Sequence, residues 1–349
     1  MSETTRRASI AERAGAPTVV SLPSADLGLR WRPMGPADGA RLAALMATIE
    51  DADGTPYRTA PSEVDDIFVG EWKDNARDTV VGIDEHGVFR AYGTVEAPPG
   101  DESVVRVFIA GGVHPEVRGA GVGREVLAWM TARARQKLAE SGKDVPGRIA
   151  AFLDDTAPDQ WHLFEAAGYT AVRFYSNLRR DLAAPTHDVA LEPELRVVPW
   201  DESLDDAARR AHNDAFRDHW GSEPATRESW VQGRSMFAPG WSFVVVDTTK
   251  ASTDTPYVAG YLLSSRYEQD WPVTGHTSGY IETLGVRRGY RGRKIAVALI
   301  AAAMDAYRES GMELAELDVD ADNPSGASSL YSSLGFVKSS GSRMYSLEL

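Results

Sequence analysis

The chain contains no cysteine, which excludes disulfides, thiolate metal sites and a cysteine nucleophile. It has no apolar run near the roughly 20 residues that a membrane helix requires. Its first 26 residues are polar, and Arg6, Arg7 and Arg13 have no apolar stretch behind them. This predicts a disordered tail over 1–26 and no secretory signal. Basic residues are in deficit: 37 lysines and arginines face 51 aspartates and glutamates, a net charge of −14. That balance argues against nucleic acid as a general partner and suits a cytoplasmic protein with a cationic substrate. No H-E-x-x-H occurs among the seven histidines. His212 and His219, two turns apart on one helix face, read as surface residues, and no metal is expected.

What is present is a globular composition, 43% hydrophobic and 25% charged, over 349 residues. That length is long for one core and natural for two domains. The chain repeats itself. "VHPEVRGAGVG" (113–123) can be laid over "VRRGYRGRKIA" (286–296) at an offset of 173, and "WHLFEAAGY" (161–169) over "SSLYSSLGF" (328–336) at an offset of 167. The six-residue difference falls in a long helix and its following loop, where length changes are tolerated. A repeat of this size is a duplicated domain.

Each half has one coarse order. In the second, strand 194–200 precedes a helix over 205–220 and a short helix near 227–230. Strands at 241–247, 257–268 and 278–286 follow from their β-branched and aromatic content. Ile295, Leu299, Ala302, Ala303 and Ala306 then recur at helical spacing up to Gly311, before the strand "LAELDVDA", the helix "SGASSLYSSLG" and a closing strand. The first half repeats this from 29–35 to 174–182. The linker is 184–193, "APTHDVALEP", with two prolines and little apolar content. The reading is α+β: two domains in tandem, 27–183 and 194–349. "DVDADN" (318–323) superficially suggests a calcium loop, but it lacks glycine at the sixth place and has Ser329 at the twelfth. Strand alternation explains it better, with Leu317, Val319 and Ala321 inward and Asp318, Asp320 and Asp322 outward.

A strand that runs into Arg-Gly-x-Gly-x-Gly and then a helix offers backbone N–H groups to a pyrophosphate. A Rossmann fingerprint would place its glycines near the start of a βαβ unit; here they come late, after several strands. The pattern resembles the GNAT family of acetyl-CoA-dependent N-acetyltransferases. The family signature R/Q-x-x-G-x-G/A is complete at Arg118, Gly119, Ala120, Gly121, Val122 and Gly123. The second copy meets it at Arg291 and Ala296 and departs from it at Lys294. The family's later marker stands at Asn323, Ala327, Leu330-Tyr331 and Gly335-Phe336. The resemblance spans nearly the whole chain and implies, in each half, a mixed and mostly antiparallel sheet flanked by helices. It also implies acetyl-CoA as co-substrate, an amine acceptor, and a catalytic C-terminal half.

Carried over residue by residue, coenzyme contacts fall on Leu284, Val286, Arg291, Gly292, Arg293, Lys294, Ile295, Ala296 and Asn323. In the first half they fall on Val113 and on Arg118 to Gly123. In the family a bulged strand splays from its neighbour and holds the thioester, which maps onto Leu284 to Val286 with Gly285 easing the bulge. Tyr331 stands where the family has its general acid, and the first half has Phe164 there. Glu282 is the candidate base, and the first half has Ile109 there. Packing alone would also account for Tyr331, because Ala327, Tyr331 and Leu334 share a helix face. A solvated sheet position would account for Glu282. "DHWG" (218–221) reads as a helix end capped by Gly221, or as a wall of the acceptor pocket. Lys294 has two readings: a working loop whose N–H still faces a phosphate, with the backbone expected at negative φ and the side chain outward or neutralising phosphate charge, or a spoiled coenzyme site. The acceptor stays open among a small metabolite, an antibiotic, a peptide and a mycothiol precursor, as does the oligomeric state. A protein that binds acyl-CoA or a metabolite without turnover, as a sensor or scaffold, is the alternative.

Overall fold

A computed structural model describes residues 8–186, 189–250, 256–322 and 326–349. The chain forms two compact units, one of residues up to Arg173 plus Arg343–Leu349, the other Phe174–Ser342.

The first unit opens with a helix, α1 (Ile10–Ala14), inside the stretch expected to be a disordered tail. Ser9 and Glu12 cap it reciprocally: Glu12 N–H donates to Ser9 Oγ at 3.3 Å, and Ser9 N–H donates to the Glu12 carboxylate at 2.7 Å. Ile10 and Ala14 are buried in the unit's core, and Arg13 donates to the Val145 carbonyl at 2.6 Å. Two apolar residues four apart, with a capping box, are enough to dock one helical turn. That docking corrects the expected tail over the described residues 8–26.

After α1 come β1 (Arg30–Arg32), α2 (Gly39–Asp53), α3 (Pro61–Asp66), α4 (Asn75–Asp78), β2 (Thr79–Ile83), β3 (Phe89–Glu96) and β4 (Val105–Val113). The unit continues with α5 (Val122–Glu140), β5 (Gly147–Asp154) and α6 (Pro158–Ala166), and β6 (Thr170–Asp181) begins in it. Strands β1 to β4 pair antiparallel in sequence order, and β4 pairs parallel to β5. One core packs α1, α5 and α6 against the sheet, and another packs α2 and α3.

In the second unit β6, from Phe174 on, is joined by β7 (Leu195–Pro199), α7 (Asp205–Ala215), α8 (Arg227–Val231), β8 (Phe243–Asp247) and β9 (Val258–Ser265). Then follow α9 (Trp271–Thr274), β10 (Ser278–Val286), α10 (Ile295–Glu309), β11 (Leu314–Asp320), α11 (Ala327–Ser333) and β12 (Val337–Glu348). Strands β7 to β10 are antiparallel neighbours, β10 is parallel to β11, and β11 is antiparallel to β6 from Asp181 to Tyr175. The sheet is therefore mixed, mostly antiparallel and flanked by helices, as the α+β reading has it. α10 and α11 cover one core, α7 and α8 the other.

Four local expectations change, the first being Ala321, expected inward and found exposed. α7 ends at Ala215, not at 220, because Phe216 leaves helical dihedrals and accepts the His219 N–H at 2.9 Å. Gly221 (φ +69°) therefore closes a turn and does not cap that helix. Asp320, expected outward, is 7% exposed and accepts the Asp322 N–H at 2.9 Å, bending the chain at the end of β11. Among the described residues no helix is long and apolar enough to cross a membrane.

Candidate active site

The two glycine loops share one backbone path. β4 enters a 3₁₀ turn at Pro115–Val117, then Gly119 (φ +77°) and Gly121 (φ +89°) lead into α5. β10 enters a 3₁₀ turn at Arg288–Tyr290, then Gly292 (φ +78°) and Lys294 (φ +60°) lead into α10. Lys294 is the only non-glycine residue at positive φ among those described. The negative φ expected for a working loop is thus corrected. The turn demands the left-handed region, and an L-residue there costs about 1–2 kcal/mol. The path itself is undisturbed. The first bond back to the cap runs from Ala298 N–H to the Lys294 carbonyl at 3.0 Å, so the N–H groups of Ile295, Ala296 and Val297 have no intrahelical acceptor.

Side chains around the loops are committed elsewhere. Arg291 donates to the Ala215 carbonyl at 2.7 Å, at the end of α7. Arg118 ties to Asp53, at the end of α2, and to the Val113 carbonyl at 3.0 Å. Each signature arginine therefore braces its loop against the unit's early helix. Arg293 pairs with Glu192 and Glu194, which leaves only its backbone for a phosphate. Ile295 is 1% exposed and packs on Gly260, where a Cβ would lie 2.6 Å from it; it too can offer only its N–H. In the first unit Val122 is likewise buried, Ala120 lies in the turn and Gly123 in the first turn of α5. The Lys294 side chain is exposed and makes no ion pair with any described residue.

β10 pairs with β11 only as far as Ile281↔Leu317, while its other edge stays bonded to β9 through Val286. From Glu282 to Val286 one backbone edge of β10 therefore faces an opening between the strands. A bulge sits at Glu282, where the register with β9 shifts between Ile281 and Thr283. This corrects the expected bulge at 284–286: Leu284, Gly285 and Val286 pair regularly with Leu262, Tyr261 and Gly260. Gly285 has a different cause. A Cβ there would lie 2.4 Å from the Tyr261 ring. In the first unit β4 and β5 also part, after Phe108↔Ala150, but β4 runs along β3 without a register shift. Ile109 occupies a regular position.

The bulge swings Glu282 to a solvent-accessible place still crowded by protein. That crowding raises its carboxyl above the ordinary carboxylate range, against hydrogen bonds from Tyr267 and Ser265 that lower it, with the charge of Asp318 adding to the rise. Tyr267 donates to Glu282 Oε2 at 3.0 Å. Tyr331 lies on α11 in the apolar cluster that also holds Leu284, Val286, Ile295 and Leu317. Burial pushes its hydroxyl up to about 12. Its ring meets Phe336 edge-on at 5.7 Å. The first unit has the same edge-on pair with the hydroxyl transposed, Phe164 on Tyr169 at 5.1 Å, and the Tyr169 hydroxyl bonds to Thr131 at 2.8 Å. Asn323 lies outside the described residues.

His212 is not the surface residue that its spacing suggested. It stacks on Phe216 at 4.6 Å, and its Nδ1 lies 2.6 Å from the Tyr261 hydroxyl. Burial, with the nearby Arg234, pushes it down to about 4. Over Gly112 in the first unit, the Tyr92 ring is joined by Ile49. A polar residue opposite an apolar one in the twin was the available signal.

Comparison with known proteins agrees with this geometry. The model of the acetyltransferase (GNAT) family matches residues 206–336. A mycothiol acetyltransferase of Streptomyces avermitilis is 30% identical over 243 residues, 68% of this chain and 70% of that protein. One from Renibacterium salmoninarum is 28% identical over 239 residues, 67% of this chain but only 65% of its own length. A GCN5-related N-acetyltransferase from Sphaerobacter thermophilus superposes with a TM-score of 0.68 at 25% identity, over 94% of this chain and 97% of that one. A tandem GNAT protein from the clavulanic acid biosynthesis pathway, at 17% identity and a TM-score of 0.62 over 92% and 98%, shares the fold. With its two glycine loops, its split strands and these relatives, the chain belongs to the GNAT acetyltransferase family.

Proposed function

We propose that the protein is an N-acetyltransferase that moves an acetyl group from acetyl-CoA to a primary amine of a small molecule or peptide, with its active site in the second repeat, 194–349. The observation that carries this reading is an asymmetry. The bulge, Glu282 and Tyr331 all belong to the second repeat, and the first has unbroken register, Ile109 and Phe164. The mycothiol acetyltransferase relatives make a mycothiol precursor the first acceptor to try.

Bound acetyl-CoA supplies an electrophilic thioester carbonyl. N–H groups at the start of α10, with those of Gly292 and Lys294, hold its pyrophosphate, and the open edge of β10 at Leu284 and Val286 aligns the pantetheine. Glu282 takes a proton from the acceptor nitrogen, directly or through water, as the N–C bond forms. Tyr331, protonated at neutral pH because it is buried, gives its proton to the sulfur as the C–S bond breaks. An acid and a base so placed each contribute typically ~10²–10⁴-fold. The first repeat, with the complete glycine loop but neither proton-moving group, would hold coenzyme without transfer.

The strain at Lys294 favours one rival, a protein that binds acyl-CoA without turning it over. Acetyl-CoA offered with a panel of amines separates the two. Thiol release that depends on the amine, and is lost in Glu282→Gln, supports the enzyme. Coenzyme binding without thiol release for any amine supports the rival.

A further inference from the structure

The last shared register of β10 and β11 is Ile281↔Leu317. The next residue on each strand is a carboxylate, Glu282 on one and Asp318 on the other. In the first unit the last register is Phe108↔Ala150, and the next residues are Ile109 and Ala151. The carboxylates share a face of the sheet: Tyr280, on β10, hydrogen-bonds Asp318, and Tyr267, edge-on to Tyr280 at 5.5 Å, donates to Glu282.

Asp318 is held in place from its other side. Asn177, its register partner on β6, donates its amide N–H to Asp318 Oδ1. The Asn177 amide oxygen in turn accepts from Ser340 Oγ at 2.9 Å, and its backbone carbonyl accepts from Ser339 Oγ at 3.1 Å. A carboxylate fixed beside another disfavours ionisation of both and draws positive charge to the point between them.

We propose that Asp318 is a positioning residue for acetyl transfer: a second, fixed carboxylate at the mouth of the strand gap that strengthens Glu282 as proton acceptor and favours an acceptor arriving as an ammonium ion. The proposal rests on the reading of Glu282 as the base. The ammonium gives its first proton to Glu282, which releases it to solvent; the neutral amine then attacks, and the ionised Glu282 takes the second proton as the N–C bond forms. Four other groups interact with Glu282. Tyr280 on β10 and Tyr307 on α10 are raised by burial, and Tyr267 and Ser265 act as hydrogen-bond donors.

The test uses the full chain. The Glu282 carboxyl is titrated by ¹³C NMR, assigned by its loss in Glu282→Gln, in parent, Asp318→Asn and Asp318→Glu. The pH profile of kcat/KM for an amine substrate is recorded alongside. Asp318→Asn is nearly isosteric and should move both the Glu282 midpoint and the acid limb to lower pH. It should raise KM for the amine more than it lowers kcat at the optimum. Asp318→Glu, which restores the charge, should return the midpoint toward the parent value. A midpoint unmoved in Asp318→Asn overturns the proposal and leaves the base reading standing. An acid limb that survives in Glu282→Gln overturns the base reading and the proposal with it.

Discussion

At the scale of single residues, Lys294 and Tyr331 make the sharpest claims. Lys294 holds a backbone conformation that its twin Gly121 adopts freely. Lys294→Gly should therefore stabilise the fold, or at worst leave it unchanged. The gain from relieved strain, about 1 kcal/mol, is offset in part by the greater freedom of glycine in the unfolded chain. Coenzyme affinity should change by less than roughly tenfold, since the exposed ammonium adds only ~0–1 kcal/mol to a phosphate contact. Urea unfolding and calorimetric titration of CoA check the two halves of this claim, and a marked loss of stability would contradict the strain account. For Tyr331, Phe164 shows that the same packing site accepts a ring without a hydroxyl. Tyr331→Phe should keep the melting temperature and CoA affinity while lowering kcat by ~10²–10⁴-fold. An unchanged kcat, with chemistry shown to be rate-limiting, would reduce Tyr331 to a packing residue.

Among the elements, β10 matters most, because one strand carries the bulge, the open edge and a tight crossing by Tyr261. That tyrosine is fully buried and bonded to His212, so it cannot yield to a methyl group 2.4 Å from its ring. Gly285→Ala should destabilise the protein by about 1–3 kcal/mol, the usual cost of overpacking. Gly289→Ala, five residues after the strand's Leu284, is the control: a Cβ there meets nothing within 4 Å, and its effect should be near zero. Chemical denaturation of the two variants compares them directly, and equal midpoints would refute the packing account of Gly285. The strand's limits, 278–286, were legible from its β-branched and aromatic residues. The position of its bulge was not, because a bulge is a property of two strands in register and leaves no mark on one.

For the whole molecule, the motif repeat and the compact units divide the chain differently. The repeats meet at the linker 184–193, while the units change at 173/174 and 342/343. The second unit thus includes β6 from Phe174, whose residues Tyr175–Asp181 satisfy the outer edge of β11. Residues Arg343–Leu349 belong to the first unit, where Leu349 exchanges backbone bonds with Gly147 at 2.8 and 2.9 Å. A chain of 194–349 alone would expose the β11 edge and free the Asp318 side chain from Asn177. It should be poorly soluble or unfolded, whereas the same segment co-expressed with 1–193 should be recovered as a folded pair. Circular dichroism and size-exclusion chromatography decide this, and a cooperatively folding 194–349 would disprove it.

Much about this protein was determined by local sequence. Strand and helix periods, the duplicated glycine loops, and the contrast of Glu282 and Tyr331 with Ile109 and Phe164 depend on residue types at fixed spacings, and they name both family and candidate site. The tertiary structure alone decided the rest. It placed the bulge at Glu282, held Lys294 in a left-handed turn, half-buried His212 against Tyr261 and buried Asp320. It also set Asp318 beside the candidate base and assigned each closing segment to its unit. The reason is common to all of these. They depend on which backbone edge finds which partner, and that choice is made by hydrogen bonds and packing between segments far apart in the chain.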